Sequence, residues 1–194
     1  MNSPAPLVVA DLSFRYRART EQAIRNVSFE LRSGEFLLVA GSSGCGKTTL
    51  ARCINGLIPR SYRGDRTGEV LLHGKEVSSL SLAEVAQVIG TMLQDPERQI
   101  VASNVYAEVA FGPENLGLPE AEISERIQEA LQRLKIEHLA GRETFALSGG
   151  EKQKVALAGV LAMRPSIAGN IVVTVILLPI LMVAYAAVLT RRSR

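Results

Sequence analysis

The stretch GSSGCGKT, residues 41–48, decides the fold class of this chain of 194 residues. It satisfies the pattern GxxxxGK[ST], in which a glycine-rich loop brings several backbone N–H groups close to a chain of phosphates. Lys47 is placed to reach the β- and γ-phosphates, and the hydroxyl of Thr48 is placed to bind Mg²⁺. The loop therefore predicts a nucleoside-triphosphate site formed by Gly41, Ser42, Ser43, Gly44, Cys45, Gly46, Lys47, Thr48 and Thr49.

The segments on either side of this loop have the order that such a site requires. Residues 35–41, EFLLVAG, form a continuous apolar run, which favours a strand buried on both faces of a parallel sheet. The run TTLARCINGL, which begins at Thr48, has a helical pattern, and its positive N-terminal end would point at the same anion. Strand, loop and helix together predict an α/β fold of the P-loop NTPase class.

Short β-rich runs and turn signals organise the first half of the chain. Residues 7–14 and 27–32 predict paired strands near the edge of a sheet. Residues 68–75 predict a strand that ends in a turn, and residues 82–90 predict a short helix. Since paired edge strands add an antiparallel part to the parallel core, we expect a mixed sheet.

Two longer helices are predicted in the second half. An amphipathic helix is expected over residues 118–136, with Pro119 in its first turn. Its apolar face would carry Ile123, Ile127, Leu131 and Leu134. A further helix is expected to begin after Ser148 and to end before Pro165, which cannot continue it.

The composition argues against several classes of function. The chain carries 22 Lys+Arg against 19 Asp+Glu, and the excess lies in Arg191, Arg192 and Arg194, so the remainder is neutral. Nucleic-acid binding needs a basic face and aromatic stacking surface, and with no Trp we expect no nucleic-acid partner. The two cysteines fit a reducing compartment, and the two isolated histidines are too few for a zinc site.

A second candidate anion site lies in LSGGEKQ, residues 147–153. Ser148, Gly149 and Gly150 are predicted to open a helix, so their N–H groups and the serine hydroxyl can surround a phosphate. The same residues also fit an N-cap in which Ser148 and Glu151 form a capping box. The two interpretations are compatible.

Together these motifs resemble the ATP-binding subunit of ABC transporters. In LSFRY, Tyr16 stands where that family has an aromatic that stacks on adenine, although a strand aromatic can also simply fill a core. In TMLQDPERQI, Gln94 follows a short apolar run that is expected to be a strand, and it resembles the glutamine that contacts Mg²⁺ and the attacking water and senses the membrane subunit. The resemblance implies that ATP and Mg²⁺ are the cofactors, with Thr48 and Gln94 at the metal ion.

The resemblance also implies partners. In the family, the γ-phosphate of ATP held by a second ATP-binding subunit is met by the signature, here Leu147, Ser148, Gly149, Gly150, Glu151 and Gln153. Residues 99–119, QIVASNVYAEVAFGPENLGLP, are similar to the corresponding stretch of energy-coupling-factor importers, which take up vitamins and ions such as cobalt and nickel. We therefore expect a homo- or heterodimer, an integral membrane subunit, and a peripheral location on the cytoplasmic face of the cell membrane.

The resemblance divides the chain into three parts. Residues 1–93 correspond to a P-loop ATP-binding core with an antiparallel β part, and residues 94–167 to a helical subdomain with the signature. Residues 168–194 form an unrelated hydrophobic tail where the family has LLLDEPT, whose Asp holds Mg²⁺ and whose Glu polarises the attacking water. This tail contains no Asp or Glu, so we expect the chain to bind ATP and to hydrolyse it poorly.

The tail itself has two interpretations. Residues 171–190 are 20 residues without a charge, which matches a membrane-spanning helix, but the run IVVTVILL before Pro179 fits a buried strand equally well. A single span would put the nucleotide domain and the final RRSR on opposite sides, against the positive-inside rule. The abrupt loss of the family pattern indicates a truncated, frameshifted or fused gene rather than a membrane-anchored variant.

The leading hypothesis is an ATP-binding subunit of an energy-coupling-factor type ABC importer that lacks its own catalytic carboxylates. A non-transport ABC protein that acts as a nucleotide switch on a soluble partner is an alternative from another class. A non-functional gene fragment is the third.

Overall fold

The computed structural model describes residues 5–35, 37–93 and 95–166. They form two compact units, one that ends at Leu80 and one that begins at Ser81. Gln94 and the hydrophobic tail, residues 168–194, lie outside the described residues. The functional division between residues 93 and 94 stays a prediction.

The first unit is built on a four-stranded sheet. Its strands are β1 (Leu7–Tyr16), β2 (Ile24–Leu31), β3 (Gly64–Leu72) and β4 (Lys75–Glu76), in the order β2-β1-β3-β4. All three pairings are antiparallel. The paired strands predicted from residues 7–14 and 27–32 and the strand predicted from residues 68–75 are therefore confirmed, with β2 at an edge.

A β-bulge in β1 changes which of its residues face the core. Leu7 and Val9 are buried before the irregularity, whereas Leu12 and Phe14 are buried after it. Successive side chains of a strand alternate between its faces, so the inward set shifts from odd to even positions at the bulge. Phe14 and Tyr16, which are two positions apart, therefore lie on the same face of β1 as Leu7 and Val9.

Two helices follow the phosphate loop in this unit. The helix α1 (Lys47–Ile54) buries Leu50, Cys53 and Ile54, and α2 (Leu57–Arg60) is a single short turn. The predicted helix after the loop is thus confirmed. Because apolar residues at i, i+3 and i+4 share one helical face, α1 packs that face into the core.

The predicted buried strand over residues 35–41 is wrong. In the described part of this segment no residue pairs with a strand, and Leu38 is 53% exposed. A strand exists only through hydrogen bonds to a neighbour, and a strand covered on both faces also needs helices above and below it. Residues 91–93, where a short strand was expected before Gln94, are likewise not in a strand. The described sheet is therefore antiparallel rather than mixed.

The second unit is helical. It contains α3 (Leu82–Val88), α4 (Val105–Asn115), α5 (Glu120–Leu134) and α6 (Gly149–Ala162), and its core lies where α4, α5 and α6 pack together. The predicted short helix and both long helices are confirmed. Their buried positions include the predicted face of α5, namely Ile123, Ile127, Leu131 and Leu134.

The ends of these helices follow the sequence closely. Pro119 is the N-cap of α5 and precedes its first turn, rather than lying within it. The helix α6 stops at Ala162, before Pro165, as expected from the missing N–H of proline. Within the described ranges, no helix combines the length and the apolar character that a membrane crossing needs.

Candidate nucleotide-binding site

The phosphate loop is a tight turn that leads directly into α1. The N–H of Cys45 donates to the carbonyl of Ser42 at 3.3 Å, and Gly44 and Gly46 have φ values of +84° and +101°. At Gly46 a side chain is excluded twice, by this left-handed conformation and by space, because a Cβ atom would lie 2.3 Å from the carbonyl oxygen of Ala23. The loop can approach the β1–β2 hairpin only because this residue is glycine.

Lys47 is buried at the start of α1, with 6% of its surface exposed. Its Nζ donates to the carbonyl oxygens of Gly41 at 2.8 Å and Ser42 at 2.7 Å, so the ammonium group lies inside the loop. A buried ammonium needs acceptors, and phosphate oxygens are stronger acceptors than neutral carbonyls. The geometry suits an anion that enters this loop.

A cavity of about 990 Å³ lies between the loop, the start of α1 and the β1–β2 hairpin. Its lining carries three cationic side chains, Arg19, Lys47 and Arg52, and a single carboxylate, Glu21. An excess of positive charge in a concave site favours a polyanion such as a triphosphate. The volume is in the range of pockets that hold ligands of nucleotide size.

Tyr16 lies in the wall of this cavity at the end of β1. Its hydroxyl lies 3.1 Å from the hydroxyl of Thr49, and it accepts a hydrogen bond of 3.1 Å from Nη1 of Arg52. The ring packs edge-on with Phe14 at a centroid distance of 4.8 Å. Since the phenol oxygen is already engaged by two partners, the ring is the part of Tyr16 that is left for a ligand.

The donors of the loop fit a nucleotide with Mg²⁺ held mainly by its own phosphates. Thr48 is exposed and lines the cavity, so its hydroxyl can serve as a protein ligand to the ion. No cluster of three or more His, Cys, Asp or Glu that could hold a metal ion occurs among the residues described. Mg²⁺ commonly keeps several waters and binds through substrate phosphates with few protein ligands, so this donor set is compatible with it.

The signature opens α6 in the second unit. Ser148 is the N-cap and forms a capping box with Glu151: the Ser148 N–H donates to the carboxylate at 2.8 Å and the Glu151 N–H to the serine oxygen at 3.4 Å. Hydrogen bonds from the Ser148 hydroxyl and backbone hold the pKa of Glu151 below its usual range. A Cβ atom at Gly149 or Gly150 would meet no atom within 4 Å, so both glycines face open space. The predicted capping box is thus confirmed.

The structure brings most of the residues predicted to bind this chain's own ATP to one cavity. Its lining includes Tyr16, Gly44, Cys45, Gly46, Lys47, Thr48 and Thr49. Gly41 and Ser42 contribute through their carbonyls to Lys47, Ser43 is exposed within the same loop, and Gln94 lies outside the described residues. Of the signature residues, Leu147 is buried and Gln153 is exposed on α6.

The sequence reasoning missed part of the cavity wall. Arg52, Tyr62 and residues 18–23 of the hairpin line it as well. Arg52 follows Thr49 by three positions on α1, so helical spacing from the phosphate loop contained a signal for it. No comparable signal exists for Tyr62. This residue follows α2 and reaches the cavity only because the chain turns back toward the phosphate loop there.

The phosphate loop, its buried lysine and the cationic cavity above them define a nucleotide-binding domain of the P-loop class. Residues 24–168 match the family described as ABC transporter. The chain belongs to this family, whose ATP-binding domains are ATPases coupled to transport.

Curated relatives are similar to this chain over most of its length. An ABC transporter ATP-binding protein of Caldanaerobacter subterraneus is 43% identical over 166 residues, which cover 85% of this chain and 29% of the relative. YkoD of Bacillus subtilis, named for HMP/thiamine import, is 44% identical over 162 residues, which cover 83% of this chain and 30% of YkoD. The chain thus spans about a third or less of the length of these relatives.

Solved structures show the same fold. CbiO1 of Clostridium perfringens, described as part of the ABC transporter complex cbiONQ, superposes with a TM-score of 0.72 at 35% identity. This match covers 84% of the chain and 63% of cbiO1. The bacterial ABC transporter cassette MJ0796, solved as a dimer, superposes with a TM-score of 0.68 at 25% identity, over 82% of the chain and 70% of that cassette.

Proposed function

We propose that this chain is the ATP-binding part of an energy-coupling-factor type ABC importer that takes up a vitamin or a metal ion. The subgroup is supported by YkoD, whose name refers to HMP/thiamine import, and by cbiO1, which belongs to a cbiONQ complex. In this role the chain pairs with a second ATP-binding subunit and with an integral membrane subunit. It sits at the cytoplasmic face of the cell membrane.

The observation that carries this proposal is the buried ammonium of Lys47 inside the glycine-rich loop. The N–H groups of the loop and the start of α1 surround the β- and γ-phosphates, and Lys47 neutralises their charge. Thr48 binds Mg²⁺ together with the phosphates, and the ring of Tyr16 stacks on adenine. The cationic wall of the cavity favours the triphosphate over a neutral ligand.

The signature serves a different ATP molecule in this proposal. Gly149 and Gly150 leave open space at the N-terminus of α6, where helix N–H groups favour an anion. Ser148 to Gly150 therefore meet the γ-phosphate of ATP that the partner subunit holds. Gln94 has the role of contacting Mg²⁺ and water and of relaying to the membrane subunit.

Hydrolysis by the chain alone is proposed to be slow. The segment 168–194 contains no Asp or Glu, so neither the carboxylate that holds Mg²⁺ nor the one that polarises water is supplied there. A positioned general base typically contributes about 10² to 10⁴ in rate. In a dimer with a complete subunit, only the composite site that combines this chain's signature with the partner's carboxylates would turn over.

The direct test is ATP binding and turnover by the full chain. We expect MgATP to bind and to raise the melting temperature, and Lys47→Ala to abolish both effects. The steady-state ATPase rate should be near background for the chain alone and should rise when a complete subunit is added. Normal turnover by the chain alone would refute the missing-base argument.

Two further measurements separate the alternatives. An importer component co-purifies with an integral membrane protein, whereas a nucleotide switch co-purifies with a soluble one. A gene fragment would express insolubly and would show no nucleotide-dependent rise in melting temperature.

A further inference from the structure

Four side chains of the first unit form a connected cluster beside the phosphate loop. Tyr16 contacts Thr49 and Arg52 through its hydroxyl, and Arg52 also lies over the ring of Tyr62, with 4.1 Å between its Cζ atom and the ring centroid. Tyr62 completes the cluster by packing edge-on near Tyr16, at a centroid distance of 6.4 Å. We name Tyr16, Thr49, Arg52 and Tyr62 the tyrosine cluster.

Arg52 is held in this cluster by two different interactions. Its planar guanidinium stacks on Tyr62, and its edge donates to the hydroxyl of Tyr16 at 3.1 Å. A guanidinium can do both at once because its face binds an aromatic ring while its N–H groups lie in the ring-parallel plane. The stacking on Tyr62 therefore directs the donor that holds Tyr16.

The cluster also connects Tyr16 to the phosphate loop. Thr49 and Arg52 both belong to α1, the helix that begins at Lys47. Two contacts to one hydroxyl from one helix leave the ring of Tyr16 little freedom to turn. The hydroxyl of Tyr16 is thereby anchored on the same helix that carries Lys47.

We propose that Arg52 and Tyr62 are positioning residues that hold the ring of Tyr16 in place for the nucleotide base. This inference rests on the proposed function, in which Tyr16 stacks on adenine. A ring held in advance does not have to be immobilised when the base binds, so the affinity for the base is higher. In the proposed function the phosphates lie in the loop at Lys47 and the base lies on Tyr16, so the positioning role acts on the base, whereas the charge of Arg52 acts on any triphosphate.

The test compares two ligands that share a triphosphate and differ in the base. The dissociation constants of MgATP and of magnesium tripolyphosphate are measured by calorimetry with the full chain. The ratio used here is the dissociation constant of tripolyphosphate divided by that of MgATP, which reports how much the nucleoside adds to the affinity. Arg52→Met keeps an unbranched stem but removes the donor and the cation. We expect it to lower this ratio by about twofold to tenfold, the usual cost of immobilising one side chain on binding.

Three other variants provide the comparisons needed to interpret Arg52→Met. Tyr16→Ala removes the stacking surface itself and should lower the ratio by roughly 5- to 100-fold, which sets the upper limit for Arg52→Met. Tyr62→Leu should act in the same direction as Arg52→Met. Arg15→Met is the matched control, because Arg15 is on β1 but pairs with Asp65 and does not line the cavity.

The possible outcomes separate the positioning role, the stacking on the base and the proposed function. If Arg52→Met melts cooperatively and keeps the wild-type ratio, or weakens both ligands equally, the positioning role is overturned. If Arg52→Met does not fold, the ratio of Tyr62→Leu decides in its place. If the wild-type chain binds both ligands equally, the stacking of Tyr16 on the base is refuted but phosphate binding stands. If it binds neither, the proposed function itself fails.

Discussion

Gly46 is the position where the phosphate loop and the β1–β2 hairpin approach most closely, and Gly46→Ala tests whether this approach holds the site together. The substitution places a Cβ atom 2.3 Å from the carbonyl oxygen of Ala23 and 2.9 Å from Cγ2 of Ile24. It also puts a non-glycine residue at a φ of +101°, which costs about 1–2 kcal/mol. Displacing packed backbone costs a further 1–3 kcal/mol, roughly. We expect a total loss of about 2–5 kcal/mol in the free energy of unfolding.

Gly44→Ala is the matched control for this prediction. Gly44 has a φ of +84° in the same loop, but a Cβ atom there would meet nothing within 4 Å. It therefore carries the conformational cost, about 1–2 kcal/mol, without the collision. The difference between the two variants isolates the contact with the hairpin.

The assay is urea unfolding of both variants, followed by circular dichroism, at the same protein concentration and without nucleotide. Gly46→Ala should unfold at clearly lower urea than Gly44→Ala, with a gap of about 1–3 kcal/mol after extrapolation to water. Equal stability of the two variants would show that the hairpin moves away from the added Cβ atom with no loss in the free energy of unfolding. The close approach would then have no part in holding the loop.

Three other outcomes follow from the described contacts. Ser148→Ala removes the cap of α6 and should cost about 1 kcal/mol in urea unfolding at neutral pH; no measurable loss would contradict the capping role. The depressed pKa of Glu151 means that its contribution is present above the ordinary value of 4.5 and is lost as the pH falls through the lowered value. The penalty of Ser148→Ala should therefore shrink in acid, and a penalty independent of pH contradicts this account. Burial raises the pKa of Cys53 to about 11, whereas Cys45 is exposed, so iodoacetamide at mildly alkaline pH should label Cys45 first by mass spectrometry. Equal labelling of Cys45 and Cys53 would contradict this expected order.

Local patterns predicted most of the fold. The face of α5 and the stop before Pro165 depend on periodicity and on proline chemistry, which are properties of a few neighbouring residues. The strand expected over residues 35–41 failed because a strand depends on partners elsewhere in the chain. Apolar character alone does not supply those hydrogen bonds, and Leu38 is 53% exposed in the described structure.

The same contrast between neighbouring and distant residues applies to the candidate site. The phosphate loop could be predicted because its glycines and Lys47 are adjacent in sequence and the chemistry requires that spacing. The tyrosine cluster could not, since Tyr62 meets Arg52 only after the chain has turned back past α2. The β-bulge was also not predictable from alternation, yet it puts Phe14 and Tyr16 on the same face of β1 as Leu7 and Val9.

In the proposed function, binding and hydrolysis are separable because they depend on different residues. The bulge that orients Tyr16, the approach of Gly46 to Ala23 and the burial of Lys47 all lie within the first unit, and none of them uses a carboxylate. In the proposed function the carboxylates of hydrolysis are expected after residue 167, and residues 168–194 contain no Asp or Glu. Bound nucleotide should therefore leave by dissociation rather than by conversion. Chromatography of the nucleotide released by acid, after incubation of the chain with MgATP, should recover ATP. Steady accumulation of ADP that Lys47→Ala abolishes would contradict this separation.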